Sequence, residues 1–155
     1  MMDENDFQKA WEEYHDMLYR LAVTMTKNMD TAMDVVQEVM LRLLRHKGSF
    51  ESDEHLKAWL IRVCINRCRD FLRSSWFLKE TELDPRLYAC MEKEDRKVLD
   101  EIMLLDPKYR SVIYLHYYEG YSCRELASLL GLSESAVRMR AKRAREILRL
   151  ELEEK

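Results

Sequence analysis

The sequence predicts an all-α protein made of two small helical domains joined by a linker. Only three glycines and two prolines occur in 155 residues, so few positions favour a break in a helix. Apolar residues recur at spacings of three and four along most of the chain, which is the period of an amphipathic helix. The chain is 47% apolar, which allows a core, and its length suits one ordinary domain or two small ones.

The charges are distributed in alternating blocks, although the net charge is only −3. Residues 1–55 carry 6 positive and 12 negative side chains, and residues 76–107 carry 5 and 9. By contrast, residues 56–75 carry 5 and 1, and residues 108–150 carry 9 and 4. Two basic blocks separated by acidic ones predict a protein that contacts phosphates at two places.

Several function classes have no support in the sequence. No run of about 18 apolar residues occurs, so no membrane insertion is expected, and the acidic N-terminus lacks a signal core. We therefore expect a cytoplasmic protein. No phosphate-binding, hydrolase or metalloprotease motif is present, and we expect neither an enzyme nor a cofactor. Cys64 and Cys68 are one helical turn apart, but they fall on an apolar helix face, which favours buried free thiols over a metal site.

Three helices are predicted in the first domain, residues 5–73. An amphipathic helix spans 5–27. A capping box of Thr31 and Asp34 precedes the next helix, 32–46, which we expect to end at Gly48. The third helix starts near His55, and its predicted core face comprises Leu56, Trp59, Leu60, Val63, Cys64, Cys68 and Phe71.

The second helix has a polar face with one apolar residue in its middle, Leu41. A leucine ringed by polar groups fits the centre of a protein interface, and a single exposed leucine is also ordinary. The third helix has a stripe that suits a DNA backbone, with Asn66 able to contact a base, unless it is simply a solvated basic face. The second-helix face comprises Asp34, Gln37, Glu38, Leu41 and Arg42, and the third-helix stripe comprises Arg62, Asn66, Arg69 and Arg73.

Residues 74–90 lack clean periodicity and are predicted to be the linker. The second domain, 91–152, begins with a helix from Met91 to Leu105. Asp106 and Pro107 then predict a new helix, with aspartate as the N-cap and proline at the first position. We expect this helix to continue to Gly120, with Val112, Ile113, His116 and Tyr117 inside.

Residues 121–148 have the pattern of a helix-turn-helix. Ser122 and Glu125 form a capping box, Gly131 can adopt the left-handed turn, and Ser133 can cap the second helix. One side of the second helix is small and apolar, at Val137, Ala141, Ala144 and Leu148. Its outer face suits a DNA major groove, although an arginine-rich surface helix would look the same. The outer residues are Ser135, Arg138, Met139, Lys142 and Arg143, with Arg140 and Arg145 on the flanks.

These motifs together resemble the bacterial RNA polymerase sigma factors of the sigma-70 family, in particular the extracytoplasmic-function (ECF) group. The resemblance covers roughly residues 7–150. It is carried by D-V-V-Q-E at Asp34–Glu38, by Phe50 followed by W-L-I-R-V-C-I-N-R-C-R-D-F-L-R at 59–73, and by the helix-turn-helix. It implies that 5–73 is sigma region 2, 74–90 the linker and 91–152 sigma region 4.

The resemblance also implies partners and site residues. The second-helix face would bind the clamp helices of the largest subunit of core RNA polymerase, region 4 the flap of the second-largest subunit, and an anti-sigma factor would hold the protein, in some cases at the membrane. The third-helix stripe would bind the −10 promoter element, and a base could enter the loop 46–55 near His46, Ser49 or Glu51. The −35 element would be bound by Ser135, Arg138, Met139, Lys142 and Arg143, and DNA phosphates by Arg124, Arg140 and Arg145.

This chain departs from the family pattern at Cys64, where alanine is usual, and at Ala136, where threonine is common. Met139 and Lys142 are individual to it, so the promoter sequence does not follow from the resemblance. Two other functions fit the same residues. One is a dimeric helix-turn-helix regulator that binds an operator without polymerase, and the other is a sigma mimic that titrates an anti-sigma factor.

Overall fold

The computed structural model describes residues 2–74, Arg86 and 100–153, with side chains as far as Leu148. The chain divides into two compact units, Met1–Thr81 and Glu82–Lys155. All regular structure in the described residues is helical. Apart from Ser74 and Arg86, the predicted linker lies outside the described residues, as does the predicted helix as far as position 99.

The first unit contains three helices: α1, Glu4–Thr26, α2, Met29–Arg45, and α3, Asp53–Arg73. Each helix packs against the other two. Apolar side chains from all three therefore share one core, which removes their surface from water and drives the packing. The largest completely buried ones include Leu18, Leu21, Met25, Val35, Val39, Leu43, Leu60 and Ile61.

Side-chain caps fix where these helices begin. The Asp3 carboxylate accepts from the Asp6 N–H at 2.8 Å, and the Ser52 hydroxyl accepts from the His55 N–H at 3.1 Å. The predicted Thr31 cap of α2 is wrong, because the Asn28 side chain accepts from the Thr31 N–H at 2.9 Å and the helix starts earlier. Helix α2 also ends before Gly48, at Arg45.

The buried side of α3 differs from the predicted core face. Ile61 and Ile65 are buried, whereas Leu56, Trp59, Val63 and Phe71 are half-buried. Because α3 contacts both α1 and α2, its buried side is set by two neighbours, which the helical period alone does not specify.

The second unit contains a helical stretch at 100–103, then α4, Pro107–Ile113, a π-helical turn, Tyr114–Tyr118, α5, Cys123–Leu130, and α6, Glu134–Glu153. Proline stands at the start of α4 as predicted, but the Asp106 side chain makes no capping hydrogen bond. Instead, the buried Arg110 side chain donates to the Leu105 carbonyl just before the helix. Burial lowers the pKa of Arg110 to about 10, and nearby Asp106 opposes this shift.

The segment before the helix-turn-helix is not the regular helix that the sequence predicted. The Glu119 N–H donates to the Tyr114 carbonyl at 3.1 Å, a bond that spans five residues and widens the turn. Tyr117 lies in this wider turn, and its exposed fraction is 56%. The prediction that it lies inside is therefore wrong. His116 is half-buried, and its Nδ1 lies 2.6 Å from the Tyr121 carbonyl oxygen, in line with a structural role.

Candidate nucleic-acid interface

The turn between α5 and α6 has the predicted local structure. The Ser122 N–H donates to Glu125 Oε1 at 3.0 Å, and the Glu125 N–H donates to Ser122 Oγ at 3.1 Å. Hydrogen bonds from the Ser122 backbone and side chain lower the pKa of Glu125. Gly131 has a φ of 68°, and Ser133 Oγ accepts from the Ala136 N–H at 3.1 Å. The capping box, the glycine turn and the second cap are confirmed.

Helix α6 has a buried side and an exposed side, as the sequence predicted. Val137, Ala141 and Ala144 are buried, and α6 packs against both α4 and α5. Small side chains at 141 and 144 let these helices approach closely. The opposite side is exposed and largely basic, and comprises Ser135, Arg138, Met139, Lys142 and Arg143.

The arginines of unit 2 differ in their contacts. Arg138 pairs with Glu134, one turn earlier on α6, at 2.6 Å, and Arg143 lies 3.7 Å from Glu146. Arg145 instead donates from Nη1 to the Tyr117 hydroxyl at 2.8 Å. The other two predicted phosphate ligands differ in exposure: Arg124 is exposed and Arg140 is half-buried.

A depression of about 420 Å³ lies beside the exposed face of α6. Three cationic side chains line it, together with a half-buried histidine, the N-cap and first residue of α5, and one alanine of α6. This concentration of positive charge suits an anion such as a DNA phosphate. Its lining comprises His116, Ser122, Cys123, Arg138, Ala141, Lys142 and Arg145.

In unit 1, the predicted DNA stripe of α3 lies on its outer side. Arg62, Asn66 and Arg73 are exposed, and Arg69 is half-buried. Arg67 lies on a different side of the helix. Its guanidinium pairs with Glu38 of α2, lies 3.7 Å from Asp70 and is 4.7 Å from the centre of the Phe71 ring.

The polar face of α2 is accessible except at Glu38. Asp34, Gln37 and Arg42 are exposed, and the Leu41 side chain is 48% exposed. Glu38 is tied to its own protein, because its carboxylate pairs with Arg67 and lies 3.5 Å from Arg42. The sequence contains no local signal for the pairing with Arg67, which is 29 residues away.

The α2 face also includes a residue that the sequence reasoning missed. Met33 is 44% exposed and stands one helical turn before Gln37 and two before Leu41. The same spacing that identified Leu41 could have found it.

The loop before α3 packs through aromatic rings. His46 stacks on Phe50 with ring centres 4.9 Å apart, and Phe50 and Trp59 meet edge to face at 5.6 Å. A cleft of about 990 Å³ separates this loop from the start of α1, and Ser49 lines it. The other two residues suggested for a base pocket are not in that lining: His46 belongs to the aromatic stack, and the Glu51 N–H donates to His55 Nδ1 at 3.1 Å.

Cys64 and Cys68 are buried free thiols, and Cys123 is half-buried and free. A hydrogen bond with Cys68, together with burial, raises the pKa of Cys64. The residues that the structure describes contain no group of His, Cys, Asp or Glu side chains suited to a metal ion. Within that same part of the chain, no helix combines the length and apolarity needed to cross a membrane.

Comparison with known proteins gives two family matches on this chain. Residues 10–77 match the model of sigma-70 region 2, and residues 95–148 match the model of sigma-70 region 4. Neither model describes a family of catalysts.

Individual relatives match over almost the whole chain. The ECF RNA polymerase sigma factor SigL of Mycobacterium tuberculosis is 30% identical, over 93% of this chain and 87% of the relative. SigX of Bacillus subtilis, also an ECF RNA polymerase sigma factor, is 28% identical over 97% and 85%. The solved structure of CnrH in complex with the cytosolic domain of CnrY is 27% identical, with a TM-score of 0.70 over 97% of this chain and 90% of that one. The chain therefore belongs to the sigma-70 family, within its ECF group, and is an RNA polymerase sigma factor that directs promoter-specific transcription initiation.

Proposed function

We propose that this sigma factor uses three separate faces: α2 for core RNA polymerase, α3 for the −10 element and α6 for the −35 element. The observation that carries the proposal is the exposed basic face of α6, the second helix of the capped helix-turn-helix. Its buried side is occupied by contacts with α4 and α5, so the outward side chains are available to the edges of DNA bases.

The polymerase contact is assigned to the α2 face. Leu41 supplies an exposed apolar centre, and Asp34, Gln37 and Arg42 supply a polar rim. This arrangement suits the burial of one anchor side chain against a partner helix. We assign Glu38 to the same face because its carboxylate contacts the guanidinium of Arg42. The clamp helices of the largest polymerase subunit would bind this face.

The −35 contact is assigned to α6 and its flanks. Arg138 and Arg143 have the geometry to donate two bonds to guanine, and Met139 offers an apolar contact to a thymine methyl group. Ser135 and Lys142 complete the base-facing set. Arg124, Arg140 and Arg145 are assigned to DNA phosphates, which fix position without specifying sequence.

The −10 contact is assigned to the outer side of α3. Arg62, Arg69 and Arg73 lie along one line and would follow the DNA backbone, while Asn66 is placed to contact a base. A base taken out of the duplex would enter the cleft beside Ser49, and its capture would offset the cost of unpairing.

On this basis we assign region 2 to residues 5–73, the linker to 74–90 and region 4 to 91–152. Region 4 would also contact the flap of the second-largest polymerase subunit. We place the protein in the cytoplasm, where it would be held by an anti-sigma factor and, in some cases, kept at the membrane. The bound CnrY domain in the CnrH structure supports a protein partner of this kind.

The test is transcription by core polymerase from a promoter library with and without the purified protein. We expect start sites that depend on the protein and that share a −35 and a −10 sequence. Tight sequence-specific binding by a homodimer without polymerase would instead indicate an operator-binding regulator. Failure to direct any transcription, with binding to an anti-sigma factor retained, would indicate a sigma mimic.

A further inference from the structure

We propose that Tyr117 is a positioning residue for DNA binding, which holds the guanidinium of Arg145 in place to bind a phosphate of the DNA backbone. This inference rests on the proposed function of α6. It assigns a role in DNA binding to a residue outside the helices that are proposed to contact DNA. Tyr117 lies in the π-helical turn and not on the helix-turn-helix.

The contact itself is well formed. Arg145 Nη1 donates to the Tyr117 hydroxyl oxygen at 2.8 Å, although 28 residues separate them. Both side chains are exposed, so burial does not impose this contact. A free arginine side chain loses rotamer entropy when it becomes fixed. An arginine that is already held loses less of it when DNA binds.

Tyr117 is itself held in position. Its ring meets the His116 ring edge to face, with the centres 4.7 Å apart, and His116 is fixed by its contact with the Tyr121 carbonyl. In this turn Tyr117 is 56% exposed, although the helical period predicted it inside. This ring contact restricts the position of the hydroxyl that accepts from Arg145.

The surroundings of Arg145 identify the ligand class. Arg145, Lys142 and Arg138 line the same depression, and within the described part of the chain no carboxylate is among its lining residues. Arg138 pairs with Glu134 at 2.6 Å, and Arg143 lies 3.7 Å from Glu146. The partner of Arg145 is an uncharged hydroxyl, so its positive charge stays available to a phosphate.

The test is a double-mutant cycle in the full-length protein. The probe is a random-sequence DNA duplex of about three helical turns, and fluorescence anisotropy measures its affinity at several salt concentrations. We expect Arg145→Ala to weaken binding about tenfold and to reduce the slope of log affinity against log salt by about 1. Tyr117→Phe removes only the hydroxyl and keeps the ring contact, and we expect it to weaken binding about threefold.

The coupling decides between positioning and a general structural effect. In the Arg145→Ala background, Tyr117→Phe should not weaken DNA binding further. In the Arg143→Ala background, it should weaken DNA binding about threefold, its full effect. Tyr118→Phe, in the same turn, should not couple to Arg145→Ala. Equal effects of Tyr117→Phe in both backgrounds would overturn the inference alone. Failure of the unmodified protein to bind this DNA even at low salt would overturn it together with the DNA-binding role of α6.

Discussion

Two acidic side chains of α2 stand one helical turn apart and differ in what they contact. Asp34 is exposed, and the Glu38 carboxylate pairs with Arg67 of α3 and with Arg42. A partner can bind Asp34 without breaking an ion pair to any other residue that the structure describes. Binding a partner to Glu38 requires the loss of contacts within the protein, which a surface ion pair of this kind opposes by up to about 1 kcal/mol.

Replacing each residue should therefore give opposite results. We expect Asp34→Ala or Leu41→Ala to weaken binding to core polymerase and to leave the unfolding midpoint almost unchanged. Glu38→Gln should lower the free energy of unfolding by about 0.5–1 kcal/mol and affect polymerase binding less. Polymerase pull-down and urea unfolding of the three variants check this. Undiminished polymerase binding by both Asp34→Ala and Leu41→Ala would refute the assignment of the α2 face.

Arg143 provides a test of base recognition. If its guanidinium donates two bonds to one base, Arg143→Ala should lose about 1–3 kcal/mol of discrimination at a single −35 position. The measurement is open-complex formation on promoters that differ at that position. A uniform loss on every promoter would show that Arg143 contacts a phosphate instead.

At the scale of the element, the orientation of α6 depends on a short turn. Gly131 has a φ of 68°, and a Cβ there would meet no heavy atom within 4 Å outside the adjoining backbone, so only backbone strain opposes a side chain. Ser122 and Glu125 fix the start of α5, and Ser133 fixes the start of α6. The presentation of the basic face therefore depends on caps and one left-handed residue.

We expect Gly131→Ala to destabilise unit 2 by about 1 kcal/mol, and Gly131→Asn by less, because asparagine tolerates the left-handed conformation better. Ser122→Ala should cost a similar amount, about 1 kcal/mol, through loss of the cap. Thermal unfolding of the full-length variants measures these losses. The exposed Ser128→Ala, inside α5, is the control and should change stability little. Equal stability of the alanine and asparagine variants would contradict the role of backbone strain.

How far the sequence predicts these elements depends on where the signals lie. The helix-turn-helix and its exposed residues were predictable because caps, turn and period are all local. The start of α2 was not, because Asn28 and Thr31 are both good capping residues and lie three residues apart. The buried side of α3 depends on two partner helices, and the Glu38–Arg67 pair joins residues far apart in sequence. No local sequence pattern predicted the widened turn at 114–118.

At the scale of the whole molecule, each unit carries one basic block and the acidic blocks offset both. The net charge is −3, although residues 56–75 and 108–150 are basic. Acidic blocks elsewhere reduce long-range attraction to DNA. Specific binding should therefore require the basic faces and the polymerase-binding face to act together.

We expect the free protein to bind promoter DNA only weakly at physiological salt, with an affinity in the non-specific range of about 10⁻⁴ to 10⁻⁶ M. With core polymerase, binding should become tight and sequence-specific. Electrophoretic mobility shifts with and without polymerase, on promoter and scrambled DNA, check this. Nanomolar promoter binding by the protein alone would contradict it.

The widened turn at Tyr114–Tyr118 has a consequence for how this surface could have arisen and could be altered. A π-turn is one residue longer than the α-helical turn it replaces. Deleting a single residue other than Tyr117 from it would restore the regular helix and change the direction of the side chains inside the turn, while the helical positions on either side would keep nearly the same phase. Tyr117 and Arg145 would then be separated with neither of them replaced. Their partnership is set by the number of residues in one turn, so an insertion or deletion would change it more readily than a point mutation elsewhere.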